Sequence, residues 1–312
     1  MIQTCAMLAH VAEAGIRARF TAVVTVALAV VAVTTSGCAG EPGPAPEGPE
    51  QGEVPAIARL VPPAIAADGV LVVGTDPSYP PMEFMDRGGL AGADIDLANA
   101  VAEVLGLSVS FEKEAFTALV DGVRTDRIEM AVSALTLDKG ESARADAVVY
   151  FNSADQVVAS RSDPGLRPGN MCGRTVAALE GSTQVRTLSG ISRQCREAGS
   201  PPIVIEALSD QDQVTRAVLT DRVSGMLTDI PVATHVVAQN PRRLRLSGRP
   251  FDRAPFGMLT PPQAPDMARA VEGAVQQLID DGRYERILRK WNVARGGVER
   301  ASIRWARPTR QP

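Results

Sequence analysis

The amino-acid sequence predicts an α/β protein made of two similarly built lobes with a cleft between them. Short β-branched runs alternate with helical spacing from Val70 to Ala134, and this βαβαβ order is typical of an α/β lobe. The same alternation starts again at Val176 and continues into a helix that follows Pro231. Because the two stretches are similar in construction, we expect two lobes that face each other across a cleft.

The predicted first lobe opens with a strand from Val70 to Gly74, which leads into a loop stiffened by Tyr79-Pro80-Pro81. From Asp94 the apolar residues recur at helical spacing, and Gly106 ends this helix. The remaining predicted elements of this lobe are a strand over 109–111, a helix over 116–125 and a strand over 128–134.

The predicted second lobe has strands over 176–179, 203–205 and 225–227, and a helix follows each of them. An amphipathic helix from Met267 to Leu278 then ends at Gly282, and a short helix runs from Tyr284 to Trp291. We expect the residues that follow to form a tail.

Composition and motifs exclude several classes of function. The 312-residue chain has a formal net charge of −4 and no basic block, so nothing indicates a nucleic-acid partner. It has two histidines, His10 in the predicted leader and His235, which gives little support to a histidine-based catalytic or metal site. No Ser/His/Asp, zinc or P-loop pattern is present, so the sequence predicts neither a cofactor nor a metal.

The start of the chain has the features of an export signal. Arg17 and Arg19 precede an apolar run over 20–33, which is shorter than the roughly 20 residues of a membrane-spanning helix. Small residues ending in Gly37-Cys38 resemble a bacterial lipobox, although Thr35 stands where leucine is usual. We predict a lipoprotein signal peptide over 1–37, lipidation of Cys38 and a flexible Pro/Gly-rich tether over 38–63; an uncleaved anchor helix is the alternative.

Besides Cys38, two cysteines remain in the predicted mature chain, Cys172 and Cys195. Export favours a disulfide between them. A metal or redox pair is the alternative, but neither a CxxC spacing nor a third ligand supports it. We therefore interpret the two cysteines as a structural bridge.

Seven short segments follow one another in a characteristic order. They are Val73 to Asp76, Tyr79 to Phe84, Gly92 to Ala98, Gly173 to Val176, Gly181 to Gln184, Asp229 to Ala233 and Asp281 to Trp291. Together they resemble the family 3 extracellular solute-binding proteins, which serve polar amino acid ABC importers. The resemblance covers about 61–293, and cysteines placed like the two above occur in a branch of the family common in actinobacteria.

The resemblance implies a type II periplasmic-binding-protein-like fold, with a ligand cleft between lobes joined by two hinge segments. Lobe 1 is expected at 64–157 plus 252–293, lobe 2 at 158–251 and a C-terminal tail at 294–312. The implied function is to capture an amino acid or a related small nitrogen compound, including a cationic one, and to deliver it to an ABC permease. We expect a monomer that is lipid-anchored to the outer face of the cytoplasmic membrane.

The resemblance also implies ligand-binding residues. Tyr79 and Phe116 stand where the family has aromatic side chains that sandwich the ligand, although core packing is an alternative role. Ser182 and Thr183 lie at a helix start, where free N–H groups and hydroxyls suit a carboxylate; a simple N-cap is the alternative. Asp229 matches the acidic residue that receives the ligand's α-ammonium.

The segment from Ser133 to Glu141 departs from the family pattern. Family members commonly have Thr-x-Thr-x-x-Arg here, and the arginine binds the ligand's α-carboxylate. An ungapped alignment places Asp138 at the second threonine and Glu141 at the arginine, and glutamate lacks the donors of a guanidinium. Ser133 and Thr136 remain candidate ligand contacts.

Three interpretations of this departure stay open. The first is an acidic cleft for a cationic ligand, such as a polyamine, a guanidino compound or a basic amino acid derivative, formed by Asp76, Asp138, Glu141 and Asp229. In the second, Arg144 moves into the vacated role. In the third, transport is lost and the protein senses a ligand or binds a partner.

The sequence does not predict an enzyme. A few proteins of this fold are secreted dehydratases of cyclohexadienyl acids. Those substrates are anionic, so the loss of the carboxylate-binding arginine argues against that activity. A ligand-sensing or partner-binding lipoprotein is the main alternative to transport.

Overall fold

The computed structural model describes residues 56–138, 141–163 and 165–306, without the side chains of Glu141 and Ser142. The predicted signal peptide, Cys38 and most of the predicted tether lie outside these residues. Within them, none of the helices combines the length and the apolar character needed to cross a membrane.

The described residues form a mixed α/β structure. Its strands are β1 (Val70–Thr75), β2 (Ser78–Tyr79), β3 (Glu83–Asp86), β4 (Gly89–Ala91), β5 (Ser108–Lys113), β6 (Met130–Ala131), β7 (Asp146–Ser160), β8 (Thr175–Leu179), β9 (Val204–Leu208), β10 (Gly225–Asp229), β11 (Leu244–Thr260) and β12 (Gly297–Arg304). Its α-helices are α1 (Pro63–Asp68), α2 (Ala93–Leu105), α3 (Leu119–Arg124), α4 (Thr183–Glu197), α5 (Gln211–Leu219), α6 (Ile230–Gln239), α7 (Pro265–Asp280) and α8 (Arg283–Lys290). Short 3-10 helices occupy Ala56–Leu60, Phe116–Ala118, Glu141–Arg144 and Ala294–Gly296.

The first βαβ unit forms as its sequence predicts. β1 pairs in parallel with β5 on one side and with β6 on the other. α2 connects β1 to β5 and ends where Gly106 adopts the left-handed conformation, with φ of 74°. Gly92, which precedes α2, has φ of 135°, and a Cβ there would lie 2.0 Å from the carbonyl oxygen of Met82. Glycine is therefore required at the start of α2.

A second unit repeats the pattern. β8 pairs in parallel with β9 and β10, and α4 and α5 connect these strands in turn. α5 begins with a side-chain cap, since Asp210 accepts a hydrogen bond of 2.8 Å from the backbone N–H of Gln213. β9 runs over Val204–Leu208, a few residues beyond the predicted 203–205.

Two long strands join the two units into one sheet. β7 and β11 pair antiparallel along most of their length, and the sheet order is β5-β1-β6-β11-β7-β10-β8-β9. β11 meets β6 of the first unit, whereas β7 meets β10 of the second. The predicted lobe boundaries at 157/158 and 251/252 fall inside these strands, and the boundaries themselves stay a prediction.

The structure differs from the sequence predictions at both ends of the folded part. The predicted tether extended to residue 63, but Ala56–Leu60 is a 3-10 helix whose Ile57 packs against α7. The predicted C-terminal tail, residues 294–312, includes a strand that the sequence interpretation did not give: Gly297–Arg304 pairs antiparallel with β7 as β12. Of the β12 side chains only Ala301 is buried, so the segment lacks the apolar alternation that would have predicted a strand.

The predicted disulfide is present. Cys172, in the loop before β8, is bonded to Cys195 near the end of α4, with 5.7 Å between their Cα atoms. The bridge therefore ties the C-terminal end of α4 to the loop before β8.

Candidate functional site

Two adjoining cavities lie where the loops that follow β1, β6 and β8 approach the end of β10. The first, about 180 Å³, is lined by Tyr79, Phe116, Thr117, Val120, Asp121, Ala134, Leu135, Thr136, Leu179, Gly181, Ser182, Thr183, Gln184, Arg186 and Asp229. The second, about 190 Å³, is lined by Thr136, Asp138, Ala154, Asp155, Thr183, Arg186, Thr187, Asp229, Asp252 and Ala254. We call the first the apolar cavity and the second the acidic cavity; they share Thr136, Thr183, Arg186 and Asp229.

The first and second units of the sheet contact each other around these cavities. The hydroxyl of Tyr79, which follows β1, lies 2.9 Å from the Thr228 hydroxyl at the end of β10. Gly181, which follows β8, has φ of 76°, and a Cβ on it would lie 2.7 Å from Thr117 of the first unit. Ligand sites in α/β proteins commonly lie beyond the carboxyl ends of parallel strands, as these cavities do.

Asp229 is the most densely bonded side chain of the site. Its Oδ2 accepts hydrogen bonds from the Tyr79 hydroxyl at 2.8 Å and from Gln184 Nε2 at 3.1 Å. Its Oδ1 accepts one from the Ser153 hydroxyl at 3.0 Å. Burial raises the pKa of Asp229 to about 6, against the opposing effect of these hydrogen bonds. The side chain is thus held rigidly, with only 4% of the residue exposed, at the wall shared by both cavities.

A second buried carboxyl group, Asp155 on β7, lies beside it. Gln184 Nε2 also donates to Asp155 Oδ1, at 2.9 Å, so one amide bridges the two acids. Asp155 Oδ2 is buried and accepts no hydrogen bond from the described residues. Burial, and then the charge of Asp229, raise the pKa of Asp155 to about 7. An acidic side chain that lines a cavity with an unpartnered oxygen is well placed to receive a cationic group.

The first turn of α4 faces both cavities with hydrogen-bond donors. Ser182 is the N-cap residue, yet its hydroxyl makes no capping bond and is buried without a partner among the described residues. Thr183, the first helical residue, lines both cavities. Because the first N–H groups of a helix are unpaired and carry a partial positive charge, this end of α4 suits a carboxylate.

Arg186, one turn into α4, lines both cavities and forms an ion pair with Asp138 of the first unit. Among the described residues it is the only basic side chain that lines either cavity. The ion pair connects α4 to the segment that follows β6, and therefore spans the cleft.

Two of the residues proposed from the sequence have their polar groups engaged within the fold and line neither cavity. The Ser133 hydroxyl accepts from the backbone N–H of Asp76 at 3.0 Å and donates to Glu83 at 2.9 Å. Asp76 accepts from the backbone N–H of Phe116 at 3.0 Å. Both therefore shape the loops around the cavities, and Asp76 thereby positions Phe116.

The other proposed site residues are placed as follows. The residues that line a cavity are Tyr79, Phe116, Thr136, Asp138, Ser182, Thr183 and Asp229. The backbone of Glu141 begins a 3-10 helix, and its side chain lies outside the described part. Arg144 lies 3.4 Å from Asp121 and lines neither cavity. In the described residues, no cluster of three or more His, Cys, Asp or Glu side chains is arranged to hold a metal ion.

The sequence interpretation missed Asp155, Gln184 and Arg186. Asp155 lies in a mainly polar run, 152–156, between two apolar stretches of β7, and this polar interruption of an apolar strand was a signal that could have been used. Gln184 and Arg186 gave no comparable signal, since polar residues in the first turns of a helix are ordinary.

The fold and the site together define a class of protein: a two-lobed solute-binding protein with its ligand cavity between the lobes. The chain matches the bacterial extracellular solute-binding proteins, family 3, over residues 71–294, and it belongs to this family. The prediction of a type II binding-protein fold, and of a substrate-binding component of an ABC importer, is thereby confirmed.

Named relatives agree with this membership. The arginine-binding protein ArgT of Corynebacterium glutamicum is 30% identical over 287 residues, covering 89% of this chain and 94% of the relative. The lysine/arginine/ornithine-binding periplasmic protein of Escherichia coli is 24% identical over 235 residues, covering 70% and 86%. The structure of an ancestral arginine-binding protein bound to arginine aligns with a TM-score of 0.66 at 25% identity, covering 72% of this chain and 98% of that one.

Proposed function

We propose that the chain binds an α-amino acid with a cationic side chain, arginine being the first candidate, and delivers it to an ABC permease. One observation carries this proposal: the two acids bridged by Gln184 and the N-terminus of α4 line the same pair of adjoining cavities. Asp229 and Asp155 offer oxygens for an α-ammonium group, and the start of α4 offers donors for an α-carboxylate.

The preference for a cationic side chain rests on the charge of the lining. Five acidic side chains (Asp121, Asp138, Asp155, Asp229 and Asp252) and one basic side chain line the two cavities in the described residues. One proton on the bridged acids would still leave a clear excess of negative charge. The apolar cavity, with Phe116 and Leu135 on its walls, suits the methylene chain and planar guanidinium of arginine.

This proposal keeps the first interpretation of the Glu141 exchange but changes the residues that make the cleft acidic. Asp138 and Asp229 remain, Asp121, Asp155 and Asp252 are added, and Asp76 lines neither cavity. The relatives named above are arginine-binding and lysine/arginine/ornithine-binding proteins, which also supports arginine as the ligand.

Isothermal titration of the purified protein tests the proposal. We expect arginine to bind more tightly than glutamine, and glutamate to bind weakest. Asp229→Asn should weaken arginine binding by about 10- to 100-fold, because a hydrogen bond to a charged group contributes about 1.5–3 kcal/mol. Asp266→Asn, in an exposed ion pair with Arg269, is the matched control and should leave the affinity unchanged. Glutamate binding more tightly than arginine would contradict the proposal.

We further propose that the mature protein is a monomer, lipidated at Cys38 and anchored to the outer face of the cytoplasmic membrane. The lobes would be residues 64–157 plus 252–293 and residues 158–251, with closure occurring by rotation about β7 and β11. Cys38→Ser should release the protein into the extracellular medium and abolish labelling by a radioactive fatty acid. Labelling that persists in this variant would place the anchor elsewhere.

A further inference from the structure

We propose that Arg186 binds the ligand's carboxylate, and that it does so from the second lobe in place of the arginine that the family commonly has at the position of Glu141. This inference rests on the proposed function, since it assigns one more group to the same ligand. It makes Arg186 a specificity-determining residue that separates α-amino acids from amines of the same shape.

Position on the helix is the first argument. Ser182 is the N-cap of α4 and Arg186 lies in its first turn, so both belong to the same end of the helix. Both line the apolar cavity, and Thr183 lies between them on its wall. A carboxylate placed at the Ser182 hydroxyl, which has no partner in the described residues, therefore lies within reach of the guanidinium.

The electrostatics of α4 are the second argument. A cation in the first turn of a helix is unfavourable, because the N-terminus carries a partial positive charge. Asp138 provides one anionic partner for Arg186, through Nη2. A guanidinium has five N–H donors, so the ion pair leaves donors for a second carboxylate. A ligand carboxylate would thus complete a cluster in which Arg186 lies between two anions.

Comparison with Arg144 is the third argument. Arg144 was the candidate from the sequence, but its guanidinium lies beside Asp121 and it lines neither cavity. Arg186 lines both. The geometry therefore favours recognition from the second lobe, where the ion pair with Asp138 holds Arg186 at the wall of both cavities.

The test compares arginine with agmatine, which has the same guanidinium, chain and amine but no carboxylate. Both are titrated calorimetrically into the wild-type protein and into Arg186→Gln. We expect wild type to prefer arginine, and Arg186→Gln to reduce the arginine-to-agmatine affinity ratio by about 10- to 100-fold. Agmatine affinity should change by less than about threefold or increase, because the acidic cavity loses its positive charge.

Two variants serve as controls and one as a second test. Arg222→Gln removes another half-exposed arginine, paired with Glu206 outside both cavities, and should leave the ratio unchanged. Arg144→Gln should also leave it unchanged. Arg186→Lys keeps the charge without the planar fork and should give an intermediate ratio, which also serves if Arg186→Gln does not fold.

The proposal would be overturned if both Arg186 variants kept the wild-type arginine-to-agmatine affinity ratio. A large decrease of this ratio in Arg144→Gln would also overturn it and would indicate that Arg144 binds the carboxylate. A wild-type protein that binds agmatine as tightly as arginine would also overturn it, while leaving a cation-binding protein in place. Failure of the proposed function is distinct, because the wild-type protein would then bind glutamate more tightly than arginine, or would bind neither arginine nor agmatine.

Discussion

Asp155 and Asp229 are joined by a single amide: Gln184 Nε2 donates to an oxygen of each carboxyl group, at 2.9 Å and 3.1 Å. Burial raises the pKa of Asp229 to about 6, and burial with the Asp229 charge raises that of Asp155 to about 7. In the absence of a cation, the pair is therefore partly protonated near neutral pH. A ligand ammonium group would favour the ionised forms and cause the bound proton to be released to solvent.

The affinity for a cationic ligand should consequently depend on pH. Both acids are largely protonated at pH 5, and both ionise as the pH rises through about 6 and about 7. We expect the association constant for arginine to increase by at least about tenfold between pH 5.5 and 7.5, and to level off above about pH 8. Titration calorimetry in buffers of different ionisation enthalpy should detect proton release near pH 6.5. An affinity that is constant from pH 5.5 to 8 would contradict this assignment.

The same pair should limit the stability of the ligand-free protein. The pKa of Asp155 is higher in the folded state than its ordinary value of 3.8, so ionisation disfavours folding. This destabilisation is absent below about pH 4, grows as the pH rises and is complete above about pH 7. Asp155→Asn should therefore raise the free energy of unfolding at pH 8 by about 1–3 kcal/mol, and by less at pH 5.

Urea unfolding at the two pH values measures this effect, with the exposed Asp266→Asn variant as the control. The stabilised Asp155→Asn variant should also bind arginine more weakly, because the buried carboxylate that lowers the stability of the protein is the group that binds the ligand. A variant that is less stable than wild type at pH 8 would show that the Asp155 carboxylate contributes to folding through its bond from Gln184.

The sequence predicts the parts of the fold in which burial is periodic. α2 and α7 show a continuous apolar face and a clear end, and both were predicted within a few residues of their bounds. β12 was missed because nearly all of its side chains are exposed or half-buried and its pairing with β7 is decided by the backbone. Ala56–Leu60 was assigned to the tether because Pro and Gly dominate the residues before it, while its packing depends on α7.

The sequence predicts the site less completely than the fold. Asp229 ends β10 and Ser182 lies at the start of α4. The resemblance to the family indicated Asp229 as a ligand contact, and the helix start indicated Ser182. Asp155 and Arg186 line the acidic cavity from the middle of β7 and from the first turn of α4. Their contribution depends on how β7, β10 and α4 are placed in three dimensions, and no local pattern reports that placement.

The disulfide should contribute to stability without affecting the ligand. Cys172 and Cys195 are separated by 23 residues, and a loop of this length gains about 3 kcal/mol in the chain-entropy description. Cys195 lies about 20 Å along α4 from Ser182, at a rise of about 1.5 Å per residue. We expect the double replacement by serine to lower the free energy of unfolding by about 3 kcal/mol, while arginine affinity changes by less than about threefold. A larger loss of affinity would show that the bridge positions the first turn of α4.

Ser182 and Ser192 provide a matched pair on α4 that separates ligand binding from folding. The Ser192 hydroxyl is buried and bonded to Ile203, accepting from its N–H at 3.0 Å and donating to its carbonyl oxygen at 3.2 Å. Ser192→Ala should therefore destabilise the protein by about 1–3 kcal/mol and leave arginine binding unchanged.

Ser182→Ala should have the opposite effects. Its hydroxyl is equally buried but has no partner among the described residues, so its removal should leave the stability of the ligand-free protein unchanged or slightly raised. If the hydroxyl donates to the ligand's carboxylate, its loss should weaken arginine binding by about tenfold or more and leave agmatine binding nearly unaltered. Unfolding curves and calorimetric titrations of the two variants, compared with wild type, measure both effects. Equal arginine affinities for wild type and Ser182→Ala would mean that the carboxylate lies away from the start of α4, and the orientation proposed for the ligand would have to be reversed.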